Sequence, residues 1–210
     1  MKKSIIFDLD GTLWDSSETI AKAWKETISS SSFALRDFSA EYIKTILGKT
    51  NDEIQQILFS DLSSSDASTL LAKCQESENI FILKEGAILF ENVPEILQKL
   101  SDKYDLYIVS NCQSGYIEAF LTYYNLNNLF IDIECSGNTG LHKAENIALL
   151  IKRNNIEHAI YVGDTQKDFE ATSQNNLNFV YAKYGFGEVQ DCKYVIESFN
   201  QLPQLVEKIL

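Results

Sequence analysis

Two carboxylates, Asp8 and Asp10, flank Leu9 and stand directly before Gly11, at the end of the apolar run Ile5-Ile6-Phe7. Side chains of a strand alternate with period two, so this pair leaves the strand end on one side while Leu9 points away. At neutral pH both are ionised by their reference pKa values, and two like charges so close are unfavourable unless a cation or a proton sits between them. Chemistry on an electrophile is one reason to tolerate such a pair. An Asp-Gly pair alone is equally an ordinary surface turn, so the decision rests on whether the chain supplies matching groups.

Three further predicted element ends carry such groups. The apolar run at 106–109 stops at Ser110-Asn111, which offers a hydroxyl, an amide and turn N–H groups to an anion. Lys143 falls in the first turn of a predicted helix, where a cation opposes the positive end of the helix dipole, a placement that favours binding an anion. The run at 159–162 leads through Gly163 to Asp164, with Asp168 four residues on, where it suits a helix N-terminus. Asp164 joins Asp8 and Asp10 as a third carboxylate at the same edge. Carboxylate and carbonyl oxygens are hard ligands, so the set suits Mg²⁺ rather than a soft metal.

The elements that must position these residues follow from periodicity. From residue 86 onward short apolar runs alternate with amphipathic stretches: helix over 93–100, strand over 106–109, helix over 115–124, strand over 130–133, helix over 142–153, strand over 159–162, helix over 167–174 and strand over 179–182. A short strand at 194–196 and a helix from Pro203 close the chain. This alternation predicts an α/β fold, a Rossmann-like parallel sheet covered on both faces. Between 16 and 85 the apolar residues Ala21, Trp24 and Ile28, then Tyr42, Ile43, Ile46 and Leu47, then Ile54, Ile57 and Leu58 fall at helical spacing, broken by serines at 29–32 and 63–65. The expected organisation is a core of residues 1–15 and 86–210 with an α-helical bundle, 16–85, inserted after the first strand. Ligands in open α/β sheets bind outside the carboxyl ends of the strands, where Asp8 and Asp10 lie.

Composition narrows the classes of function. At 210 residues, 45% hydrophobic and 23% charged, the chain can bury a full core. A formal charge of −12 at pH 7 argues against nucleic acid or an anionic membrane as partner. No apolar run reaches the length of a bilayer span or a signal peptide, so a cytoplasmic protein is expected. Cys74, Cys112, Cys135 and Cys192 are scattered without a C-x-x-C pair, which suits reduced thiols. With only His142 and His158, a Ser-His-Asp or multi-histidine metal site is disfavoured, and His142 is expected to be an exposed loop residue.

Taken in order, D-L-D-G-T at residues 8–12, Ser110, Lys143 and G-D-T-x-x-D at residues 163–168 resemble the haloacid dehalogenase-like (HAD) superfamily of phosphohydrolases, with the helical insertion in the place of that family's class 1 cap. The resemblance covers essentially the whole chain and is nearest in kind to phosphoglycolate phosphatases. It implies Asp8 as the nucleophile that takes the phosphoryl group and Asp10 as the acid/base. It implies Mg²⁺ held by Asp8, the main-chain carbonyl of Asp10 and Asp164. Ser110 and Lys143, with Asn111 beside them, would hold the phosphate oxygens, and Asp168 would support Lys143 or a metal-bound water. The implied partner is a small phosphorylated metabolite, and the expected state is a monomer or homodimer. Asp10 disfavours the dehalogenase branch, which lacks this carboxylate, and Leu9 disfavours the transport ATPases, which carry lysine there. A β-phosphoglucomutase-like sugar phosphomutase and a non-catalytic binding protein of the same fold are the rival readings.

Gly48-Lys49-Thr50 matches only the end of a P-loop, whose first glycine would fall at Ile43, so a nucleotide-binding loop is rejected. Lys49 is instead a candidate for reading a second anionic group of the substrate. Trp14 and Trp24 are expected to pack between insertion and core. The chain departs from the family pattern at Leu89-Phe90-Glu91-Asn92-Val93, at Cys112 and at Ala144, and none of these removes a catalytic group.

Overall fold

The structure is a computed structural model that describes residues 3–29 and 38–210; the serine-rich break expected at 29–32 lies, apart from Ser29, outside the described residues. The chain opens with β1 (Ser4–Phe7) and a two-residue strand β2 (Trp14–Asp15), then runs through α1 (Ser17–Ser29), α2 (Ala40–Lys44), α3 (Asn51–Leu58) and α4 (Ser64–Glu85). It returns through β3 (Ile88–Leu89) to α5 (Val93–Ser101), β4 (Asp105–Ser110), α6 (Tyr116–Tyr123), β5 (Phe130–Cys135) and the single turn α7 (Ser136–Thr139). It ends with α8 (Lys143–Asn154), β6 (Ala159–Gly163), α9 (Gln166–Gln174), β7 (Asn178–Ala182), β8 (Tyr194–Ile196) and α10 (Leu202–Ile209). Local chemistry sets several of these starts. Thr50 and Glu53 form a reciprocal capping box on α3, Ser63 caps α4, and Thr165 with Asp168 forms a second box on α9.

Among the described residues six strands form one sheet in the order β5-β4-β1-β6-β7-β8, every pairing parallel. β1 sits inside it, with Phe7 opposite Ile108 on one side and Val162 on the other. Period-two alternation divides β1 between two apolar layers. Ile5 and Phe7 belong to one, where Phe7 meets Phe130 and Phe199, while Ile6 packs with Tyr107, Ile147 and Tyr161 in the other. A strand covered on both faces must be apolar throughout, which is why Ile5-Ile6-Phe7 is a continuous run. The doubly covered α/β fold read from the sequence is thus the observed one.

The four helices between β2 and β3 stack on the carboxyl side of the sheet. The antiparallel ribbon in which Trp14 pairs with Leu89 joins their two entry points; two residues are too few to leave a periodic signal. Trp14 is fully buried against Tyr116, Phe120 and Tyr124, as a packing residue between the two regions should be. Trp24 differs from expectation: it packs on Phe38 within the helices and its indole N–H donates to Glu78. No helix among the described residues is long and apolar enough to cross a membrane.

Three polar contacts tie the helices to the strand ends. Lys44 Nζ lies 3.2 Å from Asp15, Asn111 Nδ2 donates to the Gly48 carbonyl at 3.0 Å, and Lys167 on α9 pairs with Glu53 on α3. Partial burial would raise the Glu53 carboxyl, but the Lys167 ammonium and the Thr50 N–H and hydroxyl outweigh it and hold it down at about 2. A carboxyl whose folded pKa is depressed stabilises the fold above its unfolded value and loses that contribution as pH falls through the folded one. Glu53→Gln is therefore expected to lower stability at pH 7 by no more than about 1 kcal/mol, since the pair is partly solvated. The difference from the native chain should close as pH falls from about 4.5 toward 2; thermal melts of both proteins across that range check it, and a pH-independent difference would rule the ion pair out as its source.

Candidate active site

The three central strands deliver their terminal polar residues to one point. Asp8 follows β1, its N–H donating to the Val162 carbonyl at 2.8 Å, and Asp164 follows β6. Asp168 sits in the first turn of α9, where its Oδ2 accepts from the Thr165 N–H at 3.0 Å and the Thr165 hydroxyl at 2.7 Å. Lys143, the first residue of α8, reaches between them: its Nζ is 2.5 Å from Asp168 Oδ1 and 2.9 Å from Asp8 Oδ1. Asp8, Asp164, Asp168 and Lys143 are 2%, 0%, 0% and 5% exposed.

One ammonium therefore faces three buried carboxylates, each offering an oxygen within 4.8 Å of the other two. Burial first, then the charge of Asp168, pushes the Asp8 carboxyl up to about 7 in spite of Lys143. Burial raises Asp164 well above the usual range, with Asp168 and Asp8 adding to it. The opposite holds for Lys143, where burial favours the neutral amine but Asp168 and Asp8 prevail and hold the charge. Asp164 Oδ2 accepts from the Phe186 N–H at 2.7 Å, whereas its Oδ1 is buried without a hydrogen-bond partner. Buried polar atoms of native proteins are nearly always satisfied, so this unpartnered oxygen beside Asp8 leaves a position that a cation could fill. The donors are hard oxygens carrying excess negative charge, and they fit a divalent metal.

Glycines let the backbone come this close. Gly11 turns the chain at φ +77°, and a Cβ there would lie 2.1 Å from Asp164 Oδ2. A Cβ on Gly185 would lie 2.4 Å from the Gly11 carbonyl, so the 184–187 turn presses Phe186 onto Asp164 only because both positions lack side chains.

Asp10 is buried beside this cluster and its carboxylate has its own partners: Oδ1 accepts from the Ser16 hydroxyl at 2.5 Å and the Tyr116 hydroxyl at 2.9 Å. Burial raises its carboxyl despite those two donors. Asp10 opens, with Asp8, Ser110, Asn111 and Lys49, onto a cavity of about 50 Å³ roofed by α1, α3 and α4. The Asn111 amide is engaged on both sides, donating to Gly48 and accepting from Ser136 at 3.1 Å. His142 is exposed and caps α8 outside this cavity, its N–H donating to Glu145 at 3.0 Å.

Ser16, Tyr116, Phe186 and Glu78 border the site without having been singled out by sequence. Each acts through a long-range contact, and only the Gly185-Phe186-Gly187 turn beyond β7 carried a local signal. Removing Lys143, the one buried cation among the described residues, tests the balance. Lys143→Met is expected to lower the unfolding free energy by about 3–5 kcal/mol, because Asp8 and Asp168 are left buried and uncompensated. Urea unfolding with a metal chelator present measures this; an unchanged midpoint would contradict the charge count.

Comparison with known proteins agrees with this geometry. The family described as haloacid dehalogenase-like hydrolase matches residues 5–182. The chain is 29% identical to a phosphoglycolate phosphatase of Synechococcus elongatus, over 99% of each protein. It is 26% identical to one from Colwellia psychrerythraea, over 96% of this chain and 95% of that protein. A haloacid dehalogenase-like hydrolase of Streptococcus pneumoniae shares the fold with a TM-score of 0.82 at 24% identity, over 98% of both chains. By a family match across most of its length, the chain belongs to the haloacid dehalogenase-like hydrolases.

Proposed function

We propose that the chain is a Mg²⁺-dependent phosphatase that hydrolyses a small phosphate monoester through a phospho-aspartate on Asp8, with residues 16–85 as a cap over a core of 1–15 and 86–210. The observation that carries the reading is the buried set of Asp8, Asp164 and Asp168 around Lys143, with Asp164 Oδ1 unpartnered, at the carboxyl ends of β1 and β6. The names of the curated relatives support a small monoester as substrate.

In this reading Asp8 and Asp164 hold the metal together with the Asp10 carbonyl. Bound there, Mg²⁺ offsets the repulsion between a carboxylate and a phosphate dianion, which at 4 Å amounts to about 4 kcal/mol per charge pair in a partly screened site. Lys143 adds charge to the phosphate oxygens, and Asp168 is a positioning residue that keeps the ammonium in place. Ser110, at the end of β4, donates its hydroxyl to another phosphate oxygen. An Asp8 oxygen forms a bond to phosphorus as the ester oxygen leaves, and protonated Asp10 supplies that oxygen with its proton. The raised Asp10 pKa suits this acid role. In the second displacement ionised Asp10 takes a proton from water, whose oxygen bonds to phosphorus and frees Asp8. The helices exclude bulk water from the first displacement; the Lys44–Asp15, Asn111–Gly48 and Lys167–Glu53 contacts hold them shut.

Phosphate release from a panel of small monoesters tests the reading. Asp8→Asn is expected to reduce kcat/KM by about three orders of magnitude or more while the melting transition persists, and chelation of the metal to abolish turnover. Turnover that survives either change would refute the mechanism.

A further inference from the structure

The cavity above Asp8 and Asp10 has two unlike ends. One lies against the strand ends: Asn111, just past β4, holds the Gly48 carbonyl, a Cβ on Gly48 would stand 3.7 Å from Thr165, and Lys49 follows in the wall. Lys49 and the Ser110 hydroxyl supply donors at that end, which also borders the Asp8 carboxylate and, behind it, Lys143. The other end is formed by Glu78, which projects from α4 into the same wall, is 5% exposed and is used by no step of the mechanism. Neutral donors alone satisfy it, the Trp24 indole N–H on Oε1 and Gln113 Nε2 at 2.9 Å on Oε2; among the described residues no lysine or arginine pairs with it. An ionised carboxylate accepts about four hydrogen bonds, so acceptor capacity remains.

Burial pushes the Glu78 carboxyl up to about 7, against the hydrogen bonds from Gln113 and Trp24 and with the charge of Asp10 adding to the rise. A buried carboxylate without a cation is unfavourable, and the two hydrogen bonds from Trp24 and Gln113 bring it no positive charge. Between the ends the wall is apolar, lined by Ile20, Trp24, Ile43, Ile46 and Ile54, and accommodates methylenes rather than another charge.

We propose that Glu78 is a specificity-determining residue and that the cavity takes phosphate monoesters of short amino alcohols, with the ammonium against Glu78 and the phosphate at the strand ends. The inference rests on the phosphatase reading and narrows its substrate class. A carboxylated alcohol, such as that of phosphoglycolate, would bring a second anion against Glu78 in a site of low dielectric. The aromatic rings of Trp24 and Tyr116 in the same wall favour a cation over an anion for the same reason.

The test compares phosphoethanolamine, phosphoglycolate and glycerol 3-phosphate on the full chain with Mg²⁺. p-Nitrophenyl phosphate, which carries no second ionised group, reports on the phosphatase reading alone. Phosphoethanolamine is expected to exceed the other two in kcat/KM by about tenfold or more, the worth of a charge-assisted hydrogen bond. Glu78→Gln should bring that ratio close to one, and Glu78→Asp should restore part of it. Ratios within one protein do not depend on how much of it is folded, so a poorly folding variant still reports. A native preference for phosphoglycolate or glycerol 3-phosphate, or a ratio unmoved by Glu78→Gln, overturns the proposal, while hydrolysis of p-nitrophenyl phosphate leaves the phosphatase reading standing. If no ester is hydrolysed, the phosphatase reading falls, and calorimetric titration of the Asp8→Asn protein with the three phosphates decides on Glu78: tighter binding of phosphoethanolamine supports it, equal or reversed affinities overturn it.

Discussion

Three carboxylates and one ammonium share a space from which water is excluded, and the architecture around β1 is arranged to make that tolerable. Lys143 cannot neutralise Asp8, Asp164 and Asp168 together, so the set retains excess negative charge and has a use for a further cation. Each member is also held by something else. Asp168 closes the capping box of α9, so the α9 N-terminus fixes the carboxylate that fixes Lys143. Asp164 is pinned by the Phe186 N–H, and the chain can bring that donor in only because Gly11 and Gly185 present no Cβ. The site is thus stabilised by backbone and helix ends rather than by its own charges, as sites that act on a charged substrate require.

The parallel sheet explains why these residues meet at all. In the order β5-β4-β1-β6-β7-β8, the strand carrying Asp8 lies between the one that ends at Ser110 and the one that leads to Asp164. Residues separated by more than 150 positions in the chain become neighbours because all three strands point the same way and stop at the same level. The crevice outside those ends is the ordinary ligand position of such sheets. The helices α1 to α4 follow β1 after only the short strand β2, so whatever they contribute is delivered above Asp8 and Asp10.

What can be read from sequence follows from the same contrast. Asp8, Asp10, Asp164, Lys143 and the alternation of strands and helices are legible because each is fixed by its neighbours in the chain: an apolar run, a glycine, a helix start. The two-residue strands at Trp14–Asp15 and Ile88–Leu89 are too short for any period to register. Ser16 and Tyr116 approach Asp10 from positions whose local pattern gives no sign of it, since a serine before a helix reads as a cap and a tyrosine in a helix as packing. Glu78 is the clearest case. The helix α4 packs on α1 and on α6, so its polar residues are not sorted onto one face, and a glutamate in the middle of it reads as solvated until the fold closes Trp24 and Gln113 around it.

This division separates the chemistry of the protein from its selectivity. Groups that would touch phosphate and metal are strand-end and helix-start residues, constrained by the sheet, by capping boxes and by glycines that admit no side chain; altering one disturbs folding as well as function. Groups that would touch the alcohol, among them Ile20, Ile43, Ile54 and Glu78, lie on α1 to α4 and are not themselves strand-end residues. The consequence is that likeness to relatives at 22–29% identity bears on the two ends of the cavity unequally. It speaks for the end built by the sheet, whereas the substrate of this chain has to be argued from the charges and surfaces that its own helices place over Asp10.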